Sequence, residues 1–312
     1  SHAVDLQFIQ YLFKSYFFME EYFRNGKGIH WDLWTTRWDQ LRNINIPIPP
    51  IEEQKLITRY LKNKTNHIED LINKVQKKIQ VLIEQRKSLV NHCVTSGINK
   101  NAKMKDSGIK FIGKIPKHWE IKKISSLYSH SSKRSKGNEI NLSVFRDYGV
   151  VKRDDHKNKN VLSEDLSNYK IVNKGDIVLN KMKTWMGSLG VSKYQGIVSP
   201  AYYVLRPNFV FFSGYVHHLL RSKVYIDQYA SLSKGIRPGQ WDLGIDDFKS
   251  LKIILPPINE QKTINEFLTK KLKINDNLIK LESERLKKLK EYHQSLFSSI
   301  VVGKFKICKD KL

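Results

Sequence analysis

The sequence predicts an α+β chain, with mixed α/β folding interrupted by long amphipathic helices of coiled-coil type. Three observations carry this prediction. The stretch IPIPPIEEQK at residues 46–55 returns 207 residues later as IILPPINEQK at residues 253–262. Each copy is followed by roughly 40 residues free of proline and glycine, with apolar side chains in alternating steps of four and three. Between the two helices lie short alternating apolar runs separated by turn residues, the pattern of a strand-rich domain.

The repeat comes first because it organises everything else. With the chain shifted by 207 residues, Lys27, Gly28 and Ile29 fall on Lys234, Gly235 and Ile236, Trp34 on Trp241, and Asp39 on Asp246. Pro49, Pro50 and Ile51 fall on Pro256, Pro257 and Ile258, Glu53, Gln54 and Lys55 on Glu260, Gln261 and Lys262, and Ile57 and Leu61 on Ile264 and Leu268. No gap is needed from about Leu12 to Val94. This is the signature of a duplicated unit, a domain followed by a helix. The second copy carries about 150 residues before its double proline and the first only 48. Residues 1–48 are therefore expected to be the C-terminal remnant of a first domain. Ser1 would lie in mid-domain, as in a fragment, a processed product or a naturally shortened chain.

Residues 49–98 are expected to form the first long helix. The residue before a proline avoids helical backbone and proline suits a first helical turn, so the double proline ends a strand and starts a helix. Glu52 and Glu53 then favour the positive end of the helix dipole. Leu61, Ile68, Val75, Leu82 and Leu89 recur every seven residues, with Ile72, Ile79 and Cys93 interleaved four residues on. At about 1.5 Å per residue the helix is a rod of about 60 Å. Residues 99–107, polar and glycine-containing, read as a linker.

Residues 108–255 read as the second, more complete domain. Pro116 and Trp119 look like an anchor before a strand at residues 120–124. Residues 170–182 carry a strand after a turn at Lys174 and Gly175, residues 196–207 another strand, and residues 214–231 one amphipathic helix. Basic side chains interleave with aromatic residues on three loops. SSKRSKGN contributes Lys133, Arg134 and Lys136; KMKTWMGS contributes Lys181, Lys183 and Trp185; SKGIRPGQW contributes Lys234, Arg237, Gln240 and Trp241. Arg and Gln pair bidentately with base edges while Lys neutralises phosphate, so these are the candidate DNA-contacting residues. Trp185 and Trp241 are expected in the core.

Residues 256–303 repeat the helix, with Leu268, Ile279, Leu286, Leu289, Leu296 and Ile300 in register. Its seam is expected to break at Asn275 and Glu282, with Leu272, Leu278 and Leu281 supplying apolar surface instead. Residues 304–312 are a basic tail. The two rods could pair with one another or with rods of partners.

Charge and missing motifs bound the function. The 312 residues hold 55 Lys and Arg against 30 Asp and Glu, a net charge of +25. Nucleic acid is the first partner such a surface suggests and an anionic membrane the second; the plain alternative is a Lys-, Asn- and Ile-rich composition of genomic origin. No apolar run approaches 18 residues, which argues against a spanning helix. Two cysteines with no C-x-x-C spacing fit a reducing cytoplasm and argue against a zinc ribbon or disulfide framework. P-loop, [DN]PP[YF], G-x-G-x-x-G, HExxH and GxSxG motifs are absent. His217–His218, the one adjacent histidine pair, points to two faces of a helix and makes a poor metal site. E-x-K spacing, as at the end of a nuclease motif, occurs at Glu53–Lys55, Glu120–Lys122 and Glu260–Lys262; two of these lie on helix starts and none has a convincing upstream Asp.

The order domain, IPIPPIEEQKLITRYLKNKTNHIEDLI and helix, then domain, ILPPINEQKTINEFL and helix, resembles the specificity subunit of type I restriction–modification systems. GKIPKHWEIKKI and GDIVLNKMKTWMGSLGV with GIVSPAYYVLRP are similar to that family's target recognition domains. The resemblance implies a chain without catalysis that reads half of a split double-stranded DNA target. It implies helices that pair as an antiparallel coiled coil and dock the methyltransferase subunits, the restriction subunit being reached indirectly. S-adenosylmethionine, ATP and Mg²⁺ would belong to those partners, and a second specificity chain could complete the shortened first domain. The competing expectation is a truncated specificity protein that binds the methyltransferase without recognising DNA by itself.

Overall fold

The computed structural model describes residues 4–28, 35–135, 139–155, 165–210, 212–235, 241–305 and 307. Two compact units emerge, one of residues 1–83 with 276–312 and one of residues 84–275, so each unit takes a portion of both long helices.

In the first unit, α1 (Leu6–Phe13), α2 (Tyr16–Asn25) and the short α3 (Trp38–Leu41) precede α4 (Ile51–Ser96). Asp5 and Ser15 cap α1 and α2 by accepting from the Phe8 and Phe18 N–H groups. Phe8 and Leu12 are buried with Ile57 and Leu61 of α4 and with Phe297, Ile300 and Val301 of α9 (Ile258–Val301). The two long helices run antiparallel here: Leu61 clusters with Ile300, Glu69 lies 3.8 Å from His293, and Lys78 donates to Glu282 at 2.6 Å.

On α4, Leu61, Ile68, Val75 and Leu82 are all buried, and Leu89 packs against the core of the second unit. On α9 the pairing differs from the expectation in one respect. Leu268 and Leu272 are buried, and Ile279, Leu286, Leu289 and Leu296 half-buried, but Leu278 and Leu281 are exposed, at 42% and 61%. The heptad does not break. It passes through Asn275 and Glu282, and the Glu282 side chain is drawn in by the Lys78 ammonium, which also holds its carboxyl below the usual value. A polar side chain at a seam position favours one register over its neighbours.

The second unit is a set of small antiparallel sheets around a buried aromatic cluster. Strands β1 (Met104–Asp106) and β2 (Lys114–Pro116) pair, so part of the expected linker is a strand. Strand β3 (Glu120–Lys123) pairs with β12 (Lys252–Leu255); Ile124 opens α5 (Ile124–Leu127) instead of extending the strand. The central sheet has the order β4 (Tyr128–His130), β11 (Tyr202–Pro207), β8 (Ile177–Asn180), β9 (Leu189–Val191). β5 (Leu142–Phe145) and β6 (Gly149–Lys152) form a hairpin, and β7 (Lys170–Val172) pairs with β10 (Gly196–Val198). Residues 170–182 and 196–207 thus each hold two strands where one was expected.

The expected helix at 214–231 is two, α6 (Ser213–Leu220) and α7 (Lys223–Leu232), divided at Ser222, whose buried hydroxyl donates to the Leu219 carbonyl. Tyr215, Tyr225, Tyr229, Trp119 and, from α8 (Ile245–Ser250), Phe248 are fully buried. Their hydroxyls are used: Tyr225 donates to the Lys252 carbonyl at 3.1 Å and Tyr229 to that of Leu220 at 2.9 Å.

The duplication holds element by element. α6 and α7 begin and end 207 residues after α1 and α2. Ser222 repeats Ser15, which donates to the Leu12 carbonyl. The isolated bridge Lys27–Thr35 recurs as Lys234–Asp242. Most telling is the glutamine at each helix start. Gln54, fully buried, donates to the Pro49 carbonyl at 2.7 Å and accepts the Asp5 N–H at 2.8 Å. Gln261 donates to the Pro256 carbonyl at 2.8 Å and accepts the Phe212 N–H at 3.2 Å. The amide staples the double-proline joint to the chain just ahead of α1 or α6, which is why the motif occurs twice. In the second copy a strand does end at the joint; in the first, residues 45–48 are not in a strand.

Among the described residues no helix is long and apolar enough to cross a membrane.

Candidate nucleic-acid interface

In the second unit two ammonium groups lie over Tyr203 of β11, and the loops carrying Lys133 and Lys234 are tied by backbone bonds to the segments that hold those lysines. Lys181, at the end of β8, places Nζ 4.6 Å from the Tyr203 ring centre, and Lys170 of β7 places its own at 5.6 Å. The His130 ring meets Tyr203 edge-on at 6.0 Å. Lys170 also donates to the Tyr202 carbonyl at 2.7 Å. The cations are thus held by a π face and a carbonyl, and among the described residues neither forms an ion pair with a carboxylate. Burial lowers the Lys170 pKa and the charge of Lys181 lowers it further; burial, then Lys170, Lys249 and Lys181, lower that of His130. An anion here would relieve that mutual repulsion.

Backbone bonds bring the loops together. The loop at Lys133 lies along β7: Ile171 N–H donates to the Lys133 carbonyl at 2.8 Å, Arg134 bridges Lys170, and the Arg134 guanidinium donates to Asn168 at 2.6 Å. The loop leaving Lys234 is joined to β8 through Leu243 N–H, which donates to the Lys181 carbonyl at 3.3 Å. Trp185 and Trp241 cover one another, ring centres 4.8 Å apart; both are half-buried, closer to a surface lid than to the expected core pair. Lys133, Arg134, Lys183 and Lys234 are exposed and Lys181 is half-buried. Lys136, Arg237 and Gln240 lie outside the described residues.

A cleft of about 420 Å³ is lined by Arg146, Asp147, Tyr148, Asn180, Lys183 and Met186 among others. Its two walls, the β5–β6 turn and the 3₁₀ turn at Thr184–Met186, are tied by Arg221 from the end of α6. That guanidinium donates to the carbonyls of Arg146 at 2.5 Å and Leu189 at 2.8 Å, and to those of Phe145 and Gly187 at 3.4 Å. Two glycines let the walls come close: a Cβ on Gly149 (φ 74°) would sit 2.8 Å from the His217 ring, and one on Gly187 (φ 94°) 2.9 Å from Ile226. His217 accepts the Val191 N–H at 3.3 Å and is committed to this packing. Burial holds its pKa well below the usual histidine value, and burial also pushes His218 down to about 4.

Sequence reasoning missed Lys170, Tyr203, Arg146 and Arg221. Tyr203 and Lys170 sit on strands, where alternation alone does not say which face carries a cluster. Arg221 follows α6, and no local sequence pattern marks it as the tie between two turns.

The E-x-K spacings are occupied structurally in the second unit. Glu260 accepts the Trp119 indole N–H at 3.1 Å and lies 2.7 Å from His118 Nε2, and Glu120 pairs with Lys122 at 2.7 Å. Among the described residues no cluster of three His, Cys, Asp or Glu side chains could hold a metal ion.

A family model described as the type I restriction modification DNA specificity domain matches residues 9–81 and 116–291. The type I restriction enzyme MjaVIII specificity subunit of Methanocaldococcus jannaschii is 28% identical over 284 residues, covering 85% of this chain and 63% of that protein. The chain thus spans less than two thirds of this curated relative. Among solved structures, a chain from a study of complex assembly and conformational transition of the type I R-M system aligns over 96% of this chain and 71% of that one, with TM-score 0.64 and 16% identity. The HsdS subunit from Thermoanaerobacter tengcongensis aligns over 97% and 71%, with TM-score 0.51 and 15% identity. At those identities the likeness is one of fold.

Proposed function

Because this chain belongs to the type I restriction modification DNA specificity family, we propose that it is a DNA-reading subunit of a restriction–modification complex, without catalysis of its own. The observation that carries the reading is the pair of ammonium groups, Lys170 and Lys181, on the Tyr203 ring, with the loops at Lys133 and Lys234 tied to the same segments, in a unit that the family model largely covers. In this reading Lys133, Arg134, Lys136, Lys181, Lys183 and Lys234 neutralise phosphate, and Arg237 and Gln240 approach base edges. Lys170 is added to the first group. The Trp185–Trp241 pair sets the loop spacing. One half of a bipartite double-stranded target is read by the second unit.

The seam residues from Leu61 to Leu89 and Leu268 to Leu296 hold the rod whose outer faces dock the methyltransferase subunits. Those partners supply adenine methylation with S-adenosylmethionine, and ATP- and Mg²⁺-dependent cleavage follows through the restriction subunit; the chain works in the cytoplasm where that DNA lies. A gel-shift titration against a pool of genomic fragments, across a salt series, tests this. Sequence-selective binding that falls steeply with salt is expected.

A second reading rests on the pairing of the two long helices: a specificity protein that joins the methyltransferase through them but reads no DNA alone. Complex formation with no sequence preference in the same titration would select it. Mg²⁺-dependent cleavage lost on changing Glu120 and Lys122 would overturn both.

A further inference from the structure

The cleft between the β5–β6 turn and the 3₁₀ turn is built to hold its shape. One guanidinium, that of Arg221, grips two carbonyls on each wall, Phe145 and Arg146 on one side and Gly187 and Leu189 on the other. Its volume of about 420 Å³ lies in the range of small-molecule sites. The buried part of its lining is polar. Ser143 and Ser188 are buried, and the Tyr202 hydroxyl is engaged by the Val144 backbone and the Asn180 side chain. The Asn180 carboxamide oxygen accepts the Met182 N–H at 3.1 Å, which leaves its NH₂ to face the other way as a donor. The exposed part is apolar and charged. Tyr148 from one wall is 61% exposed and Met186 from the other 38%. Lys183 and Arg146 are exposed cations, and Arg146 Nε lies 3.1 Å from the Asp147 carboxylate.

An aromatic ring on one wall, a thioether on the other, amide and hydroxyl groups between them and cations at the opening suit a flat heteroaromatic ring that carries one phosphate. Bases stack on aromatic faces and are read along their edges by hydrogen-bonding side chains, and thioethers pack well against rings. Asp147 narrows the choice. Its charge opposes a chain of phosphates in the cleft, while its free oxygen can accept from a base amino group. The cleft is also separate from the lysine pair. Tyr202 packs with the β5–β6 cluster and its neighbour Tyr203 against the main core, as alternation along a strand requires. The cleft and the two ammonium groups therefore lie on opposite faces of one strand end.

We propose that this cleft seats a single unstacked nucleobase, with Tyr148 and Met186 on its two faces, Asn180 at its edge and its 5′-phosphate on Lys183 and Arg146. The inference deepens the DNA reading above and rests on it for the source of the base, a nucleotide turned out of the bound strand. A free nucleoside monophosphate carries the same chemistry, and the test separates the two sources.

Two duplexes of one sequence are titrated against the full chain, one fully paired and one with a single bulged 2-aminopurine. The free 2-aminopurine nucleoside 5′-monophosphate forms the second arm, with inorganic pyrophosphate as competitor. The bulged duplex should bind about tenfold tighter than the paired one, with its base fluorescence quenched, within what one base–aromatic stack is worth. Tyr148→Ala should remove both the preference and the quenching, and Tyr148→Phe should keep both, with affinity for the paired duplex unchanged in each. Tyr148 is exposed on a turn, so neither change threatens the fold. Met186→Ala should weaken the preference several-fold. Tyr148-dependent quenching of the free nucleotide, without preference for the bulge, would assign the cleft to a free nucleotide. If neither duplex binds, the DNA reading falls and the free nucleotide alone decides the cleft. Equal affinity for the two duplexes with no quenching of the free nucleotide would overturn the proposal. So would a preference indifferent to Tyr148→Ala, or displacement of the free nucleotide by pyrophosphate, which would leave only an anion site.

Discussion

Replacing Gln261 by leucine should destabilise the second unit by about 2–4 kcal/mol. The side chain is 4% exposed and holds two backbone groups at once, the Pro256 carbonyl at 2.8 Å and the Phe212 N–H at 3.2 Å. Leucine fills similar space and leaves both groups without a partner. A buried polar group stripped of its bond costs about 1–3 kcal/mol, and Phe212, only half-buried, falls at the low end because water can reach it. Urea titration followed by circular dichroism reads the change as a shifted midpoint at constant slope. A companion variant separates the bonds from the shape. Gln261→Glu keeps the acceptor for Phe212 but at neutral pH turns a carboxylate oxygen toward the Pro256 carbonyl. Its deficit should shrink on acidification, as the carboxyl takes up a proton and regains a donor. A midpoint for Gln261→Leu within about 0.5 kcal/mol of the parent would refute the stapling argument.

Other consequences are open to measurement. Lys183→Ala and Arg237→Ala should each weaken DNA binding with the fold intact, and Lys181→Ala should also lower the slope of log affinity against log salt by about one; unchanged affinity in both Lys183→Ala and Arg237→Ala would remove the loop assignment. Leu82→Asp places an unpaired carboxylate and a cavity in the seam and should cost about 4 kcal/mol and break association with the methyltransferase, read by thermal melts and co-elution. His218 is neutral when folded, its pKa about 4 against a usual 6.5, so its contribution is complete above pH 6.5 and is lost as pH falls from there toward 4, by up to about 3 kcal/mol. His218→Gln should flatten that part of the stability–pH curve. Arg221→Met should loosen the β5–β6 turn against the 3₁₀ turn, detected as faster amide exchange at Arg146 and Leu189.

What was legible in the sequence followed from how locally each feature is determined. The duplication, the double-proline helix starts and the α4 heptads could be seen because identity, backbone chemistry and a seven-residue period need no tertiary knowledge. The α9 seam was misread at Leu278 and Leu281. Counting leucines favoured them over Glu282, whereas the helix keeps its phase and Lys78, on the other helix, supplies the partner that makes the glutamate tolerable. The break between α6 and α7 at Ser222 is invisible to periodicity, since both halves bury apolar faces. Gln54 and Gln261 were visible as matches, but their meaning lay in bonds to Asp5 and Phe212, each 49 residues earlier. The cluster around Tyr203 needed β4, β7, β8 and β11 brought together, and no short stretch announces that.

The joints at Gln54 and Gln261 are built from amides, carbonyls and prolines, with no charge in either bond. Salt screens charges and leaves such contacts nearly untouched. A wash strong enough to strip a polyanion from Lys170, Lys181 and Lys183 would therefore leave the attachment of each helix start where it was. On the DNA-binding reading proposed above, the frame and the grip would then answer to different solution conditions.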